Sequence, residues 1–329
     1  MKIGIAINGF GRIGRAVVRN ACKRRDFAIV AINDLMSIEM MAYLLRYDSV
    51  HGNFDEEVHI VDDSTLQIGK HRVAVTHAAD PAAIEAPQAD VAIESTGKFL
   101  RSDLAKGHLR YAKKVIISAP ATDETPTFVY GVNHTDYASQ SIISNASCTT
   151  NCLAPIAKLV EERYGIESGL MTTVHSYTID QNLLDSDHKR DIRRARAAAV
   201  NLVPTTTGAA RAIFKVLPSL KNKLDGRSVR VPVADVSLMD LDLVLEEEAS
   251  TDELVALFKE AAATSMQGVL AVDEEYRVSS DFLGSSYSSI VAADLVQAVG
   301  RSVKIMSWYD NEWGYANRLL DMAKYITKE

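Results

Sequence analysis

Cysteine is scarce in this chain, with three among 329 residues. So few in a chain of this length exclude a disulfide framework and point to a reducing compartment. Long apolar runs are missing as well: none approaches the roughly 20 residues that cross a bilayer. The opening Met1-Lys2-Ile3-Gly4-Ile5-Ala6-Ile7 is too short in its apolar part for a signal peptide and runs into Asn8-Gly9 and two arginines, so it reads as a first strand and the cytoplasm as the location. An excess of basic charge is absent, because the net charge is −7, which argues against nucleic-acid binding as the main role. Metal-ligand pairs are lacking too. Cys148 and Cys152 lie four apart, but no other Cys or His pair has the spacing to complete four ligands, so no metal is expected. There is no internal repeat, low-complexity tract or long linker.

What is present is an ordinary globular composition, 24% charged and 47% hydrophobic, in a chain long enough to split into two domains. Its organising stretch is Ser144-Asn145-Ala146-Ser147-Cys148-Thr149-Thr150-Asn151-Cys152, where a strand pattern (Ile142, Ile143) gives way to a helical one (Leu153, Ile156, Ala157, Val160). The first N–H groups of a helix lack internal partners and carry partial positive charge, which favours a thiolate and attracts anionic substrate groups. Taken alone, this stretch leaves open a nucleophile beside an anion site, an N-cap followed by a buried cysteine, or a metal half-site.

Residues 3 to 7 read as a buried strand, followed by Gly9-Phe10-Gly11-Arg12-Ile13-Gly14, a helix, and an apolar run from Phe27 to Ile32 closed by Asn33-Asp34. A lone G-x-G-x-x-G is weak, but here a strand precedes it, a helix follows, and Asp34 stands 20 residues past the third glycine. Gly9 and Gly11 would let the chain turn and approach a pyrophosphate, Gly14 would let the helix pack, and Asp34 would accept from ribose hydroxyls. Further apolar runs at 72–75, 91–93, 115–117, 128–132 and 142–143 read as strands. Several of their tips, Ser95-Thr96-Gly97 and Ser118-Ala119-Pro120 among them, would line a ligand groove or merely turn the chain.

After Cys148 the pattern changes. Residues 229–248 alternate as one half-buried strand, with Met239, Leu241, Leu243 and Leu245 on one side. Ser250-Thr251-Asp252-Glu253 has capping-box form, and strands follow at 270–272, 289–292 and 303–309. A helical stripe, Tyr315, Leu319, Met322 and Ile326, ends the chain. The expected fold is an α/β Rossmann dinucleotide-binding domain (1–147), an α+β catalytic domain with a mostly antiparallel sheet (148–310), and a C-terminal helix (311–329) returning to the first domain.

Of eight histidines, His175, at the end of the apolar strand Leu170 to Val174, is the best candidate base for Cys148, as a thiolate–imidazolium pair. The loop from Thr178 to Val200 carries Lys189-Arg190-Asp191-Ile192-Arg193-Arg194-Ala195-Arg196, a solvated face or a subunit contact. Thr205-Thr206-Thr207-Gly208-Ala209-Ala210 reads as the opening of another helix, with Arg230 nearby. Two anion sites at helix starts would suit a phosphorylated substrate plus free phosphate.

The segments Asn8 to Arg15, Ser144 to Leu153, Met171 to Tyr177, Arg193 to Ala198, Pro204 to Ala210 and Trp308 to Tyr315 together resemble the motifs of phosphorylating glyceraldehyde-3-phosphate dehydrogenases over the full length. The resemblance implies NAD-dependent oxidation of glyceraldehyde 3-phosphate, with inorganic phosphate, to 1,3-bisphosphoglycerate in glycolysis or gluconeogenesis. It implies Cys148 as nucleophile and His175 as base. Substrate phosphate would be held by Thr178, Asp180, Arg194 and Arg230, and the attacking phosphate by Ser147, Thr149, Thr207 and Gly208. Cofactor contacts would be Arg12 and Ile13 beside Gly9, Gly11 and Gly14, with Asp34, Thr96, Ser118, Asn311 and Tyr315. It also implies a homotetramer with the basic loop at a subunit contact.

Two positions depart from the pattern. Ser186-Asp187 stands where NAD-specific bacterial members commonly carry Leu-Pro and where NADP-using members are altered, while Asp34 would repel a 2′-phosphate. Ala79 stands where a basic side chain near the adenine is common. The alternatives are an NADP-preferring or dual-cofactor enzyme of the same type, or an erythrose-4-phosphate dehydrogenase. Intact Thr206-Thr207-Gly208 favours phosphorolysis over the latter.

Overall fold

The apolar segments at either side of the glycine turn become adjacent parallel strands, β1 (Ile3–Asn8) and β2 (Phe27–Asn33), joined by α1 (Arg12–Lys23), whose face with Val17, Val18 and Ala21 is fully buried. The computed structural model describes residues 2–189 and 191–328, without the side chain of Arg211. Its residues up to Ser147 and from Tyr315 onward form one compact unit, and Cys148–Gly314 a second.

After β2 the first unit continues with α2 (Ile38–Arg46), β3 (Val58–Asp62), β4 (Thr65–Ile68), β5 (His71–Thr76), β6 (Ala89–Glu94), the short α3 (Ser102–Ala105), β7 (Ala112–Ile117) and β8 (Ile142–Ser144). The sheet order is β3-β4-β5-β2-β1-β6-β7-β8, parallel from β5 to β8 and antiparallel at the β3–β4–β5 edge. Because the chain winds outward in both directions from β1, a crevice opens beyond the carboxyl ends of β1 and β6, the place where such sheets bind ligands.

Residues 128–132 form no strand. Thr127 makes a single bridge to Ser144, and Asn133 takes the backbone groups a ladder would need: its Oδ1 accepts from Val129 N (2.8 Å) and its Nδ2 donates to Thr127 O (3.0 Å). Gly131, at φ 85°, then turns the chain away.

The second unit begins with α4 (Cys148–Tyr164) and β9 (Ile166–Ser176). It continues with β10 (Val203–Thr206), β11 (Leu224–Val231), β12 (Ser237–Leu245), α5 (Thr251–Ala263), β13 (Leu270–Asp273), β14 (Ser289–Ala292), β15 (Gln297–Val299) and β16 (Ser302–Tyr309). The order is β10-β11-β9-β12-β16-β14-β13, with β15 on β16; only β11–β9 and β13–β14 are parallel, so the sheet is mostly antiparallel. Met239, Leu241, Leu243 and Leu245 point into the core as their alternation requires, and Ser250 and Glu253 form the capping box that starts α5.

Residues 229–248 are two strands rather than one, separated by Pro232, which has no N–H to donate, and by a turn in which Val236 takes φ 68°. The Thr205–Ala210 cluster opens no α-helix: Thr205 and Thr206 belong to β10, and a single 3₁₀ turn (Arg211–Lys215) follows.

The last helix, α6 (Trp313–Ile326), returns to the first unit from Tyr315 onward. Asn317 Nδ2 donates to Asn20 Oδ1 on α1 (2.8 Å), and Arg24 Nη1 to Asp321 Oδ1 (2.7 Å). Among the described residues no helix is long and apolar enough to cross a membrane.

Candidate active site

In the first unit a cleft of about 240 Å³ is lined by Gly9, Gly11, Asp34, Ala79 and Thr96 among others. Its shape follows from its glycines. Gly9 has φ 93°, and a Cβ there would come within 2.7 Å of the Ser95–Thr96 backbone. A Cβ on Gly14 would meet the Gly9 carbonyl oxygen at 2.1 Å. Gly11, by contrast, would meet no protein atom within 4 Å. Nothing in the fold demands glycine at position 11, so the space above it is room for a ligand to reach the backbone. Gly11 is also the N-cap of α1 and offers no side-chain acceptor, so the first-turn N–H groups of Arg12, Ile13 and Gly14 face that space. This cradle fits a dinucleotide pyrophosphate.

Asp34 is held at the rim. Its Oδ2 accepts from Phe10 N (2.6 Å) and Oδ1 from Met36 N (3.0 Å), which fixes the carboxylate while leaving lone pairs for ribose hydroxyls. The Arg12 guanidinium is paired with Asp48, whose carboxyl, despite burial, is held down at about 2 by the His51 N–H, by that pairing and by the Val50 N–H. Arg12 therefore offers the cleft its backbone rather than its charge. Thr96 lies on the β6 side of the cleft, and half-buried Ser118 ends the neighbouring strand, its N–H bound to Glu94 O (2.9 Å).

The last residues of the first unit before the nucleophile are strained. Ala146, buried, has φ 56°, a conformation an L-residue adopts at a cost of roughly 1–2 kcal/mol. Two bonds hold it there: its N–H donates to Ser144 Oγ (3.1 Å) and its carbonyl accepts from the Tyr315 hydroxyl (2.8 Å). Half-buried Ser147 follows.

In the second unit, Cys148 is the first residue of the 17-residue α4 and is half-buried. Its Sγ lies 3.7 Å from His175 Nε2. His175 sits at the end of β9, and β11 runs beside it in register, pairing His175 with Arg230. Arg230 Nη1 consequently reaches His175 Nδ1 (3.0 Å), Ser176 O (3.0 Å) and Thr178 Oγ1 (3.4 Å). Burial, then the Arg230 cation, pushes the imidazole down to about 3. Burial raises the Cys148 thiol, against the pull of Arg230 and of Thr149. Burial of both groups and the Arg230 cation on the far side of the ring thus oppose the expected thiolate–imidazolium pair, while Arg230 and Thr149 favour the thiolate half of it. Cys22 and Cys152 are both pushed up to about 12 by burial, which at Cys22 outweighs the pull of Lys70 and Lys2.

Sequence reasoning gave no role to Tyr309. Fully buried at the end of β16, it joins the Thr149 hydroxyl (3.0 Å) to the Thr173 hydroxyl (2.8 Å) and meets the His175 ring edge to face at 5.9 Å between centroids. Its inward position on a period-2 strand was the available signal. The Thr149 hydroxyl is thus shared between Tyr309 and the Cys148 sulfur, 4.0 Å away.

Asp180 and Arg194 form an ion pair, and Arg194 Nε also donates to Thr205 Oγ1 (3.0 Å). Arg190 of the basic run lies outside the described residues. Gly208 is exposed and a Cβ there would touch nothing, while Thr207 Oγ1 accepts from Ala209 N (3.2 Å). The Asn311 carbonyl accepts from Ser176 Oγ (2.9 Å) and Ser237 Oγ (2.7 Å), which turns its amide NH₂ away from both.

Comparison with known proteins gives one consistent result. A family model described as the NAD binding domain of glyceraldehyde 3-phosphate dehydrogenase matches residues 3–102, and one described as its C-terminal domain matches residues 147–311. A glyceraldehyde-3-phosphate dehydrogenase of Bacteroides fragilis is 49% identical over 98% of this chain and 99% of its own. Glyceraldehyde-3-phosphate dehydrogenase 1 of Bacillus subtilis is 50% identical over 100% and 99%. Glyceraldehyde-3-phosphate dehydrogenase B of Aspergillus oryzae is 48% identical over 99% and 98%.

Proposed function

The chain belongs to the glyceraldehyde-3-phosphate dehydrogenase family, and from that premise we propose how its residues carry the family reaction. The enzyme oxidises glyceraldehyde 3-phosphate to 1,3-bisphosphoglycerate with NAD and inorganic phosphate. One observation carries the residue assignment: Cys148, the one cysteine at a helix start among the described residues, has its sulfur 3.7 Å from the imidazole of a histidine at a strand end.

Cys148 Sγ attacks the aldehyde carbon, and its proton passes to the oxygen to give a hemithioacetal. The chemistry that bound NAD would supply is acceptance of the hydride from that carbon. As the hydride leaves, His175 takes the hydroxyl proton, and a thioester remains on Cys148. An oxygen of inorganic phosphate then adds to the thioester carbon, and the carbon–sulfur bond breaks to return the thiolate. The roles of Arg230 and Thr178 in holding the substrate phosphate follow from their position beside His175. Asp180 fixes the Arg194 cation and so acts on the phosphate through it. Ser147 and the Thr149 N–H at the helix start, with Thr207 and exposed Gly208, serve the attacking phosphate.

Gly9, Gly11, Arg12, Ile13 and Gly14 would hold the pyrophosphate and Asp34 the adenosine ribose. Thr96 and Ser118 would serve the groove, the Asn311 amide would bind the carboxamide, and Tyr315 would act through its hold on Ala146. NAD is preferred over NADP, since the fixed Asp34 carboxylate repels a 2′-phosphate. The assembly is a homotetramer in the cytoplasm: Ile179, Leu183, Leu184, Ile192 and Val200 in the basic loop, and Leu202 just after it, are each more than two-thirds exposed, a density of apolar surface that suits a subunit contact.

The test is steady-state oxidation of glyceraldehyde 3-phosphate with NAD and with NADP, each with and without inorganic phosphate. Phosphate-dependent activity with a higher kcat/KM for NAD supports the reading. Activity indifferent to phosphate would replace it with a hydrolytic aldehyde oxidation.

A further inference from the structure

Three neighbouring strands of the first sheet each end in a polar residue, Asn33 on β2, Asn8 on β1 and Glu94 on β6, with Asn8 paired directly to both of the others. All three are buried, and Asn8 and Asn33 form part of the cleft lining. Glu94 Oε1 accepts from the Thr96 N–H (2.8 Å) and hydroxyl (2.5 Å). Its Oε2 accepts from Asn8 Nδ2 (2.5 Å) and lies 2.9 Å from His108 Nε2. His108, fully buried, has its Nδ1 2.5 Å from the Tyr111 hydroxyl.

A carboxylate only accepts, so every group facing it must donate. The amide end of Asn8 is thereby fixed toward Glu94, which turns Asn8 Oδ1 toward Asn33. Asn33 Nδ2 donates to that oxygen (2.7 Å) and to Ala78 O (2.9 Å), leaving Asn33 Oδ1 to accept from Thr76 Oγ1 (2.8 Å) and Ala78 N (2.8 Å). The bond directions in this row are fixed at both ends, by Glu94 and by the Ala78 N–H and carbonyl, and those ends are cleft walls: the Thr96 turn on one side, the Ala78–Ala79 loop on the other.

We propose that Glu94 is a positioning residue for the dinucleotide, one that orients the buried Asn8–Asn33 row and so holds both walls of the cleft at the spacing the cofactor needs. The proposal rests on the reading of this cleft as the NAD site. In Glu94→Gln an NH₂ group replaces Oε2 or Oε1. Facing Asn8, it sets donor against donor, and relieving that clash by turning Asn8 passes it to Asn33 and then to Ala78 N. Facing Thr96, it opposes two donors at once. A second variant, combining Asn8→Asp with Glu94→Gln, restores a consistent row. Its new amide at the end of β6 donates to the new carboxylate at the end of β1, and that carboxylate accepts from Asn33. His108 changes tautomer, accepting from the new amide while donating to Tyr111.

The measurement is NAD affinity of the full-length protein by calorimetry, alongside KM for NAD, KM for glyceraldehyde 3-phosphate, and kcat. Glu94→Gln should weaken NAD binding and raise its KM about tenfold while kcat at saturating NAD and the aldehyde KM stay within about twofold, and the double variant should recover most of the loss. Unchanged NAD affinity in Glu94→Gln would overturn the proposal, as would a double variant that folds yet binds NAD no better than the single one. If Glu94→Gln does not fold, the double variant alone decides, wild-type affinity supporting and weak affinity overturning. A wild-type protein that binds no NAD would instead remove the cofactor reading, and this proposal with it.

Discussion

Arg230 Nη1 and His175 Nδ1 stand 3.0 Å apart, on the side of the imidazole opposite Cys148. Nδ1 also lies 2.8 Å from Ser176 O, so an obligate donor and an obligate acceptor compete for it, and the ring tautomer follows whichever partner it takes. With Arg230 as the partner the ring proton is on Nε2 and faces the sulfur; with Ser176 O as the partner Nε2 keeps the lone pair that a base needs. On the proposed reading, a substrate phosphate on Arg230 would compete for the guanidinium and favour the tautomer in which Nδ1–H donates to Ser176 O, so that substrate binding and base formation would be coupled through one arginine.

Arg230→Ala should therefore do two things at once. Loss of a charge-assisted contact to the substrate phosphate should raise the aldehyde KM by about 10- to 100-fold while NAD affinity stays constant. Loss of the nearby cation should also raise the His175 pKa, which NMR titration of the free variant can follow. A defect confined to NAD binding would mean that Arg230 does not face the substrate.

His175→Asn removes the base and the donor to the sulfur. The hydride-transfer step should slow by roughly 10²- to 10⁴-fold, and the Cys148 thiol should titrate at higher pH, since nothing then supports the thiolate from the β9 side. Single-turnover NADH formation and the pH profile of iodoacetamide alkylation measure the two effects. An alkylation profile identical to wild type would show that the imidazole does not govern the thiol.

Alkylation should also be selective. At pH 8 one equivalent of iodoacetamide should label Cys148 alone, because burial holds Cys22 and Cys152 at about 12. Cys148→Ser should lower kcat by roughly 10⁴-fold or more with NAD binding intact. Retained turnover would sink the nucleophile assignment.

Much of this site was legible because it depends on local chemistry. Gly9, Gly11, Gly14 and Asp34 announce themselves by spacing, and Cys148 by its place at a strand-to-helix change. The misreadings arise where side chains far apart in sequence decide the backbone. Asn133 takes the bonds that would have made 128–132 a strand, and pairing with β11 makes a strand of Thr205–Thr206 where hydroxyls and glycine suggested a helix start. The Arg230–His175 contact needs the parallel β9–β11 register, and Glu94 looks like any acid ending a strand until Asn8, Thr96 and His108 converge on it. Periodicity shows which face is buried and carries no information about which polar groups meet there.

The turn before β12 supplies a final test, through Asp235. Its carboxyl is pushed up to about 9 by burial and by the nearby Asp310 and Glu312 carboxylates, and its Oδ1 accepts from Val236 N (2.8 Å). The turn it braces, with Val236 at φ 68°, delivers Ser237 Oγ to both Ser176 N (3.2 Å) and Asn311 Oδ1 (2.7 Å). A carboxyl whose folded pKa is raised contributes its stability in full below the unfolded value near 4 and loses it as pH rises toward the folded value, so wild type should weaken steadily from about pH 4 to 9. An asparagine side chain at this position is neutral at every pH and can still donate to Asp310. The melting temperature of Asp235→Asn should therefore gain on wild type as pH rises, by an amount equivalent to on the order of 5 kcal/mol between pH 4 and pH 8. Parallel melting curves across that range would mean that Asp235 is ionised in the fold, and that an ion, water or basic group compensates three carboxylates at the back of the site.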